Sequence, residues 1–370
     1  MLKEYLRKRI CRVAHTDELL QGLAQLKAEN ETLKKELAAS TTLLSGGGGV
    51  NPDCIETQLA RLQTIQEENS RVERIQLNEI ELFFFKNDLI TTLQSEEIKK
   101  NLGAEMCRQS IMTGRNVIPI LLEHYWTHKL NVSFIDVGCQ YGHESILTGL
   151  YLKKQQKTTP IYCFDIGRTR ELMPFNIALN GMEDIISFYP IGISDKCGPI
   201  IVYWEPGYSE TNRMANPDFG VPRESFSYVM PATTIDAFCM EHQIETNLIA
   251  KIDVEGSERR VLHGMRETLK SKMISYIFEY GPHNYSQESG QGLDFLQEVS
   301  RTHQLILVGW LEGTGIGSSQ QCLQISPEQL PKFAQYVSDH WGVWVDLLAL
   351  PKNLPGMDEI LKKTDLLRLD

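Results

Sequence analysis

Two stretches of the chain carry carboxylates where an apolar run stops. FIDVGCQYGHES (134–145) puts Asp136 at the end of a short apolar run and follows it with Gly138 and Gly142. IAKIDVEGSERRVLHGM (249–265) ends its run in Asp253 and Glu255, turns at Gly256 and enters an amphipathic stretch. Acids at the carboxyl ends of parallel strands, with a glycine turn feeding a helix, mark the rim where such sheets hold small ligands. Gly138 lets the chain turn tightly, and Gly142 lets the next helix approach a ligand. The free N–H groups of that helix suit a carboxylate. A further run, IYCFD, ends at Asp165, an acid able to accept two hydrogen bonds from a ribose diol. Another, IGISD, ends at Asp195, placed for an adenine amino group. Gly138 and Gly142 stand four apart, which is not the glycine spacing of a dinucleotide fingerprint.

A reaction that takes a proton from a bound group needs a base beside the ligand, past the ends of the apolar runs at 248–252 and 274–278. Asp253 and His283 are the two candidates. Glu255 reads either as a further acid of the site or as a cap for the helix after Gly256. Asp253, Glu255 and Glu279 together are conceivable ligands for a hard divalent cation, although no tight ligand spacing indicates a metal. His143, in the first turn of its helix, reads as a loop-packing residue.

These residues need a scaffold that alternates strand and helix. Val132–Val137, Ile161–Phe164, Ile185–Ile193, Leu248–Ile252 and Ile274–Phe278 read as strands, with Leu305–Val308 and Cys322–Ile325 as the last two. Residues 101–128, 143–154, 170–180, 235–242, 257–270 and 291–301 read as helices. Such alternation implies a parallel α/β sheet with right-handed crossovers. Ile200–Trp204 reads as an added hairpin piece. Residues 205–232 read as a long polar loop over the site, with Tyr208, Arg213 and Phe219 as acceptor contacts. GTGIGSS at 313–319 lacks the Lys-Ser/Thr ending of a phosphate loop and reads as a connection.

Taken together and in order, these pieces resemble the FkbM family of S-adenosylmethionine (SAM)-dependent methyltransferases over roughly Val132–Gly281. The resemblance rests on DVGxxxG at Asp136–Gly142, NIALNG at Asn176–Gly181 and GISDKxG at Gly192–Gly198. It also rests on TTID at Thr233–Asp236 and KIDVEGSE at Lys251–Glu258, followed by VLHGM and IFEY. It implies a Rossmann-like, seven-stranded, mostly parallel sheet and SAM as cofactor, held by Asp136, Gly138, Gly142, Asp165 and Asp195. It further implies methyl transfer to oxygen of a sugar or natural product, with Asp253, His283 and Glu255 as the catalytic set. Gln140 and Asp165-Ile166-Gly167 depart from the family's usual residues. A methyltransferase-like scaffold without activity, or an N- or small-molecule methyltransferase, are the alternatives.

The N-terminal third has another pattern. Leu19, Leu23, Leu26, Leu33 and Leu37 fall on alternating four- and three-residue steps, with Asn30 in the gap. With Leu26 and Leu33 at d, Asn30 is at a, Lys27 and Lys34 at e, and Glu29 and Glu36 at g, as in a parallel two-stranded coiled coil. The expected organisation is a coiled-coil helix over 1–45, a Gly-rich joint over 46–54 and a second helical segment over 55–100. That segment carries Leu62, Ile65, Asn69 and Val72 and runs on to Phe83-Phe84-Phe85. A catalytic domain over 101–350 and a tail over 351–370 follow. A homodimer through the coiled coil is the expected assembly.

Composition narrows the partners. With 370 residues, 42% hydrophobic and 23% charged, the chain is globular. A net charge of −11 argues against nucleic acid. No run of about 18 apolar residues is present, so no membrane span is expected, and peripheral membrane contact by the three phenylalanines is the weaker reading. The first residues have positive charge without an apolar core, unlike a secretory signal. Eight scattered cysteines without a CxxC pair suit a reducing, cytoplasmic setting. The acceptor is read as a glycan or small molecule.

Overall fold

The computed structural model describes residues 72–77, 79–85, 117–205, 208–214, 226–281, 291–308, 323–339 and 345–364. All lie in one compact unit, Glu56–Asp370. The heptads, the Gly-rich joint, the stretch around Leu62–Asn69, Phe219, His283 and the GTGIGSS stretch lie outside the described residues.

The first described element is a hairpin of β1 (Val72–Leu77) and β2 (Ile80–Phe85), paired antiparallel from Val72↔Phe85 to Leu77↔Ile80. The continuous helix expected through this stretch is therefore not formed here. Val72, Ile75, Ile80 and the phenylalanines are β-branched or aromatic types that favour a pleated surface. The three adjacent aromatics that no helical stripe can hold find separate places on a strand. Phe83 and Phe84 are buried, Phe84 lies 4.4 Å from the Tyr141 ring, and the Arg168 guanidinium sits over Phe85.

Helix α1 (Ile118–Thr127) leads into β3 (Val132–Val137), the glycine loop, α2 (His143–Lys154) and β4 (Ile161–Phe164). A 3₁₀ turn, α3 (Met173–Leu179) and β5 (Ile186–Tyr189) follow. The chain then departs into a second sheet made of β6 (Gly192–Ile193), β7 (Gly198–Glu205), β8 (Tyr208–Met214) and β9 (Phe226–Thr233), in the order β6-β9-β7-β8. Much of 205–232, expected as a loop, is thus strand. β9 pairs with β7 along its whole length, from Gly198↔Ala232 to Trp204↔Phe226.

The main sheet resumes with α4 (Ile235–Glu241), β10 (Asn247–Ile252), α5 (Glu258–His263), α6 (Arg266–Ser271) and β11 (Ile274–Tyr280). It finishes with α7 (Gln291–Ser300), β12 (His303–Leu307), β13 (Leu323–Ile325), α8 (Leu330–Asp339), β14 (Val345–Pro351) and α9 (Met357–Thr364). Its order is β13-β12-β14-β11-β10-β3-β4-β5, eight strands where seven were expected. β13, expected at 322–325, pairs antiparallel on the outer edge of β12. The strand not foreseen is β14, which enters antiparallel between β11 and β12 and crosses the expected boundary at residue 350. Leu354 and Ile360 beyond it are buried in the core, so the described part of the presumed tail packs on the domain.

Both faces of the sheet are covered, which is why its strands read as nearly continuous apolar runs. Phe134, Ile249, Ile277 and Leu348 point into one layer, beneath α1, α2, α3, α9 and the hairpin. Ile135, Ile252, Phe278 and Ala349 point into the other, with Phe238, Val261, Phe295 and Val337 from helices α4, α5, α7 and α8.

Two asparagines of α3 join the hairpin to this layer. Asn176 Oδ1 accepts the Phe83 N–H at 2.6 Å, and its Nδ2 donates to Phe83 O and to Tyr141 O at 3.2 and 2.9 Å. One helical turn on, Asn180 repeats the pairing with Glu81 N–H at 3.0 Å and Glu81 O at 2.7 Å. Side-chain amides spaced four apart thus act as a substitute strand along the free edge of β2. Asn176→Ala leaves three buried backbone groups without their partner, and urea unfolding should show a loss of about 3 kcal/mol, at 1–3 kcal/mol per buried group left unmade.

Candidate active site

The alternation that builds the core also builds the site. On the face that carries Phe134, Ile249, Ile277 and Leu348, the next residues two positions along are Asp136, Lys251, Glu279 and Asp346. Register places Asp136 beside Lys251 and Glu279 beside Asp346 on neighbouring strands. Asp253 continues the Lys251 position two residues further on. The apolar layer thus ends in a row of ionisable groups at the carboxyl ends of β3, β10 and β11, and these line a cleft of about 230 Å³.

Lys251 is the only lysine or arginine among the described residues lining this cleft. It is buried, and its Nζ donates to Asp253 Oδ2 at 2.6 Å. Burial alone would lower its pKa, but the charges of Asp253, Asp136, Glu144 and Asp346 outweigh that and raise it. Asp136 is fully buried and accepts from Ser145 Oγ at 2.5 Å, while its Oδ1 has no hydrogen-bond partner. Glu144 is buried with neither carboxylate oxygen hydrogen-bonded, and His143 Nδ1 stands 4.0 Å from its Oε1. Burial pushes Asp136 up, and Glu144 and Glu279 well up. Such a field favours a cation or hydrogen-bond donors in the cleft.

Two loops close together form its floor. Gly138, at φ +84°, faces the backbone after β10, and a Cβ on it would come within 1.7 Å of Asp253 O. Asp253 N–H in turn bonds Val137 O at 2.9 Å. Gly142, expected to let the helix approach a ligand, is instead packed by its own protein: a Cβ there would meet Met173 Sδ at 2.4 Å, and Gly142 is not among the cleft residues. Gln140 and Glu255, both lining the cleft, hold φ values of +50° and +53°, which residues with side chains seldom adopt and which concentrate at functional sites.

The structure brings Asp136, Gly138, Asp165, Asp253 and Glu255 to this one cleft. Asp165 is cradled by the Gln140 N–H at 2.7 Å and the Gly167 N–H at 2.5 Å. Burial outweighs these bonds and pushes its carboxyl up to about 6. Asp195 does not join them. Ile185–Ile193 is not one strand: β5 stops at Tyr189, and β6 crosses to the second sheet, carrying Asp195 to an ion pair with Arg260 at 2.9 Å. Burial raises the Asp195 carboxyl, but bonds from Ser194 and Arg260 prevail and hold it below its usual range. Gly192 and Ile193 line the cleft in its stead.

Glu255 is not seen as a helix cap, since α5 has no side-chain cap; Glu258, its first residue, reaches back and its Oε1 accepts the N–H groups of Val254 and Gly256 in the preceding loop at 3.1 and 3.2 Å. His143, expected to pack the loop, lines the cleft. Lys251 and Glu144 were missed as site residues. For Lys251 the available signal was a lone lysine inside an apolar run, since lysine is seldom buried without a partner; Glu144, between His143 and Ser145, carried no such signal.

Residues 152–306 match the Methyltransferase FkbM domain. The matched span runs from α2 into β12 and contains Asp165, Lys251, Asp253 and Glu279; Asp136 and the glycine loop precede it. Among solved structures, the chain is similar to the methyltransferase FkbM from Methylobacillus flagellatus KT, at 12% identity and a TM-score of 0.32 over 71% of this chain and 60% of that one. It therefore spans about three fifths of that protein. It is also similar to the SAH-bound Podospora anserina methyltransferase PaMTH1, at 10% identity and a TM-score of 0.30 over 82% of this chain and all of that one. No curated protein matches it.

Glu258 gives the fold a stability that depends on pH. Burial, only partly offset by its backbone bonds, pushes its carboxyl from 4.5 up to about 7. The folded state therefore holds a proton that the unfolded chain releases first. That stabilisation is full below about pH 4.5 and is lost as pH rises through 7, a change of about 3 kcal/mol at 1.36 kcal/mol per unit. Glu258→Gln keeps the accepting oxygen and has no proton to lose. Urea unfolding at pH 5 and pH 8 should show wild type weakening more than the variant.

Proposed function

We propose that this chain is a SAM-dependent O-methyltransferase that methylates a hydroxyl of a sugar on a glycan or glycoconjugate. The observation that carries the reading is the in-register row of Asp136, Lys251, Asp253, Glu279 and Asp346 beside a glycine loop, within a domain that matches FkbM methyltransferases. SAM supplies the methyl group from a sulfonium centre. Asp165 takes the ribose hydroxyls, and Gly138 with Gln140 shapes the floor under the methionine end. The unpartnered oxygens of Asp136 and Glu144 offer acceptors to the cofactor's donor groups.

Methyl transfer is an in-line displacement, so the protein's share is to hold acceptor oxygen and methyl at attacking distance and keep water out. Asp253 is the base: Lys251 holds one of its oxygens, leaving the other to accept the hydroxyl proton. Glu255 lies beside it on the cleft wall and orients the acceptor, and Met214 from β8 adds an apolar contact. His283 remains the second candidate base.

The four cysteines among the described residues, Cys139, Cys163, Cys197 and Cys239, are all free, which fits a reducing, cytoplasmic compartment. Among the described residues no helix is long and apolar enough to cross a membrane. Assembly through a coiled coil in the first 45 residues stays a proposal. Its test is sedimentation after removing 1–55, because a longer cut would take the hairpin out of the folded domain. A dimer that survives this cut refutes the coiled-coil assembly.

Calorimetry should show saturable binding of SAM and SAH to the wild type, and its absence at millimolar ligand would refute the cofactor reading. Gly138→Ala should lose binding of both, because the new methyl group meets the Asp253 carbonyl. Asp253→Asn should lower turnover on a sugar acceptor by about 100-fold or more while SAM still binds. Full turnover in Asp253→Asn transfers the role of base to His283, which His283→Ala then tests.

A further inference from the structure

A second group of donor side chains lies away from the cleft, between α1 and α9. His124 and His128 stand one helical turn apart at the end of α1, and Glu359 comes from the first turn of α9. One ring nitrogen from each histidine and one Glu359 carboxylate oxygen all lie within 4.8 Å of one another. None of the three lines the cleft. α1 delivers His128 just before β3 begins, so the trio sits at the amino end of the sheet. The length of β3, about 20 Å for six residues, separates it from the acidic rim.

Both imidazoles are held by backbone carbonyls. His124, which is buried, bonds Pro355 O through Nε2 at 2.7 Å, and His128 bonds His124 O through Nδ1 at 3.0 Å. Histidines that ligate metals are commonly oriented by such carbonyl bonds. The two ring centroids lie 4.3 Å apart, with the planes tilted by 36°. Gly356, at φ +66°, packs against this pair: a Cβ there would lie 2.5 Å from His128 Nε2.

Two imidazoles and a carboxylate form an N₂O donor set that suits Zn²⁺ and its neighbours in the first transition row, with water completing the tetrahedron. Ca²⁺ and Mg²⁺ prefer all-oxygen sites. We propose that His124, His128 and Glu359 bind one first-row transition-metal ion, Zn²⁺ by the chemistry of the donors, which fastens the C-terminal helix α9 to α1. The ion's role in this proposal is structural, joining two helices at the amino end of the sheet. The proposal is independent of the methyl-transfer reading.

The test uses the full chain, stripped of metal by a chelator and titrated with Co²⁺, whose visible absorption reports tetrahedral nitrogen and oxygen ligands. One equivalent should bind with an absorption band that Zn²⁺ abolishes, and Zn²⁺ should raise the melting temperature. Glu359→Gln alters an exposed residue and leaves the fold intact; it should weaken Co²⁺ binding tenfold or more and remove the thermal shift. His128→Gln should do the same. Glu255→Gln, which alters the cleft, should leave the titration unchanged. No saturable band at millimolar Co²⁺, or equal binding by Glu359→Gln and wild type, overturns the proposal.

Discussion

One buried lysine set among carboxylates is the interaction on which the rest of the site depends. Removing charge from water is costly, and only close partners of opposite sign offset it. Lys251 meets this condition because neighbouring strands are in register, which puts Asp136 at its side and Asp253 two residues ahead. The balance is uneven. Acids outnumber the single cation, and those at the rim keep their protons to higher pH or leave oxygens without partners. A cleft left short of positive charge has an affinity built in for a ligand that carries it.

The surroundings hold that row rigid. The loops after β3 and β10 touch backbone to backbone at Gly138, so neither can shift alone. Glu258 ties down the second loop from below, and Asp165 ties down the first through Gln140. The hairpin braces the first loop from the side, through Phe84 on Tyr141 and through Asn176, which bonds both the hairpin and the Tyr141 carbonyl. An element that precedes the domain in sequence thereby becomes part of the support of its site.

The parallel strands and their terminal acids were legible because both signals are local: an apolar run, then a carboxylate, then a glycine. Asp136, Asp165 and Asp253 stand where that pattern puts them. Asp195 shows the limit of the pattern. Its run looks like the others, yet Pro190 and Ile191 separate two short strands that belong to different sheets, and only tertiary pairing decides where the second one goes. The hairpin was obscured for a related reason, since Val72, Ile75 and Ile80 also fit a helical stripe and two-strand pairing leaves a weak trace in six residues. β14 carries no strand signal beyond an apolar run in the last 30 residues. Several of the family-like motifs turned out to serve architecture: Asn176 and Asn180 bind the hairpin, while Asp236 receives the N–H groups of Glu267 and Thr268 at the start of α6.

The second sheet begins and ends at the same place. β6 pairs parallel with the last residues of β9, Gly192 beside Ala232 and Ile193 beside Thr233. The excursion from 194 to 231 therefore leaves and returns through neighbouring strands about 4.8 Å apart, and its length does not disturb the order of the main sheet. Such an insert can change in length or sequence without displacing a strand of the main sheet, and through Met214 it contributes to the wall of the cleft.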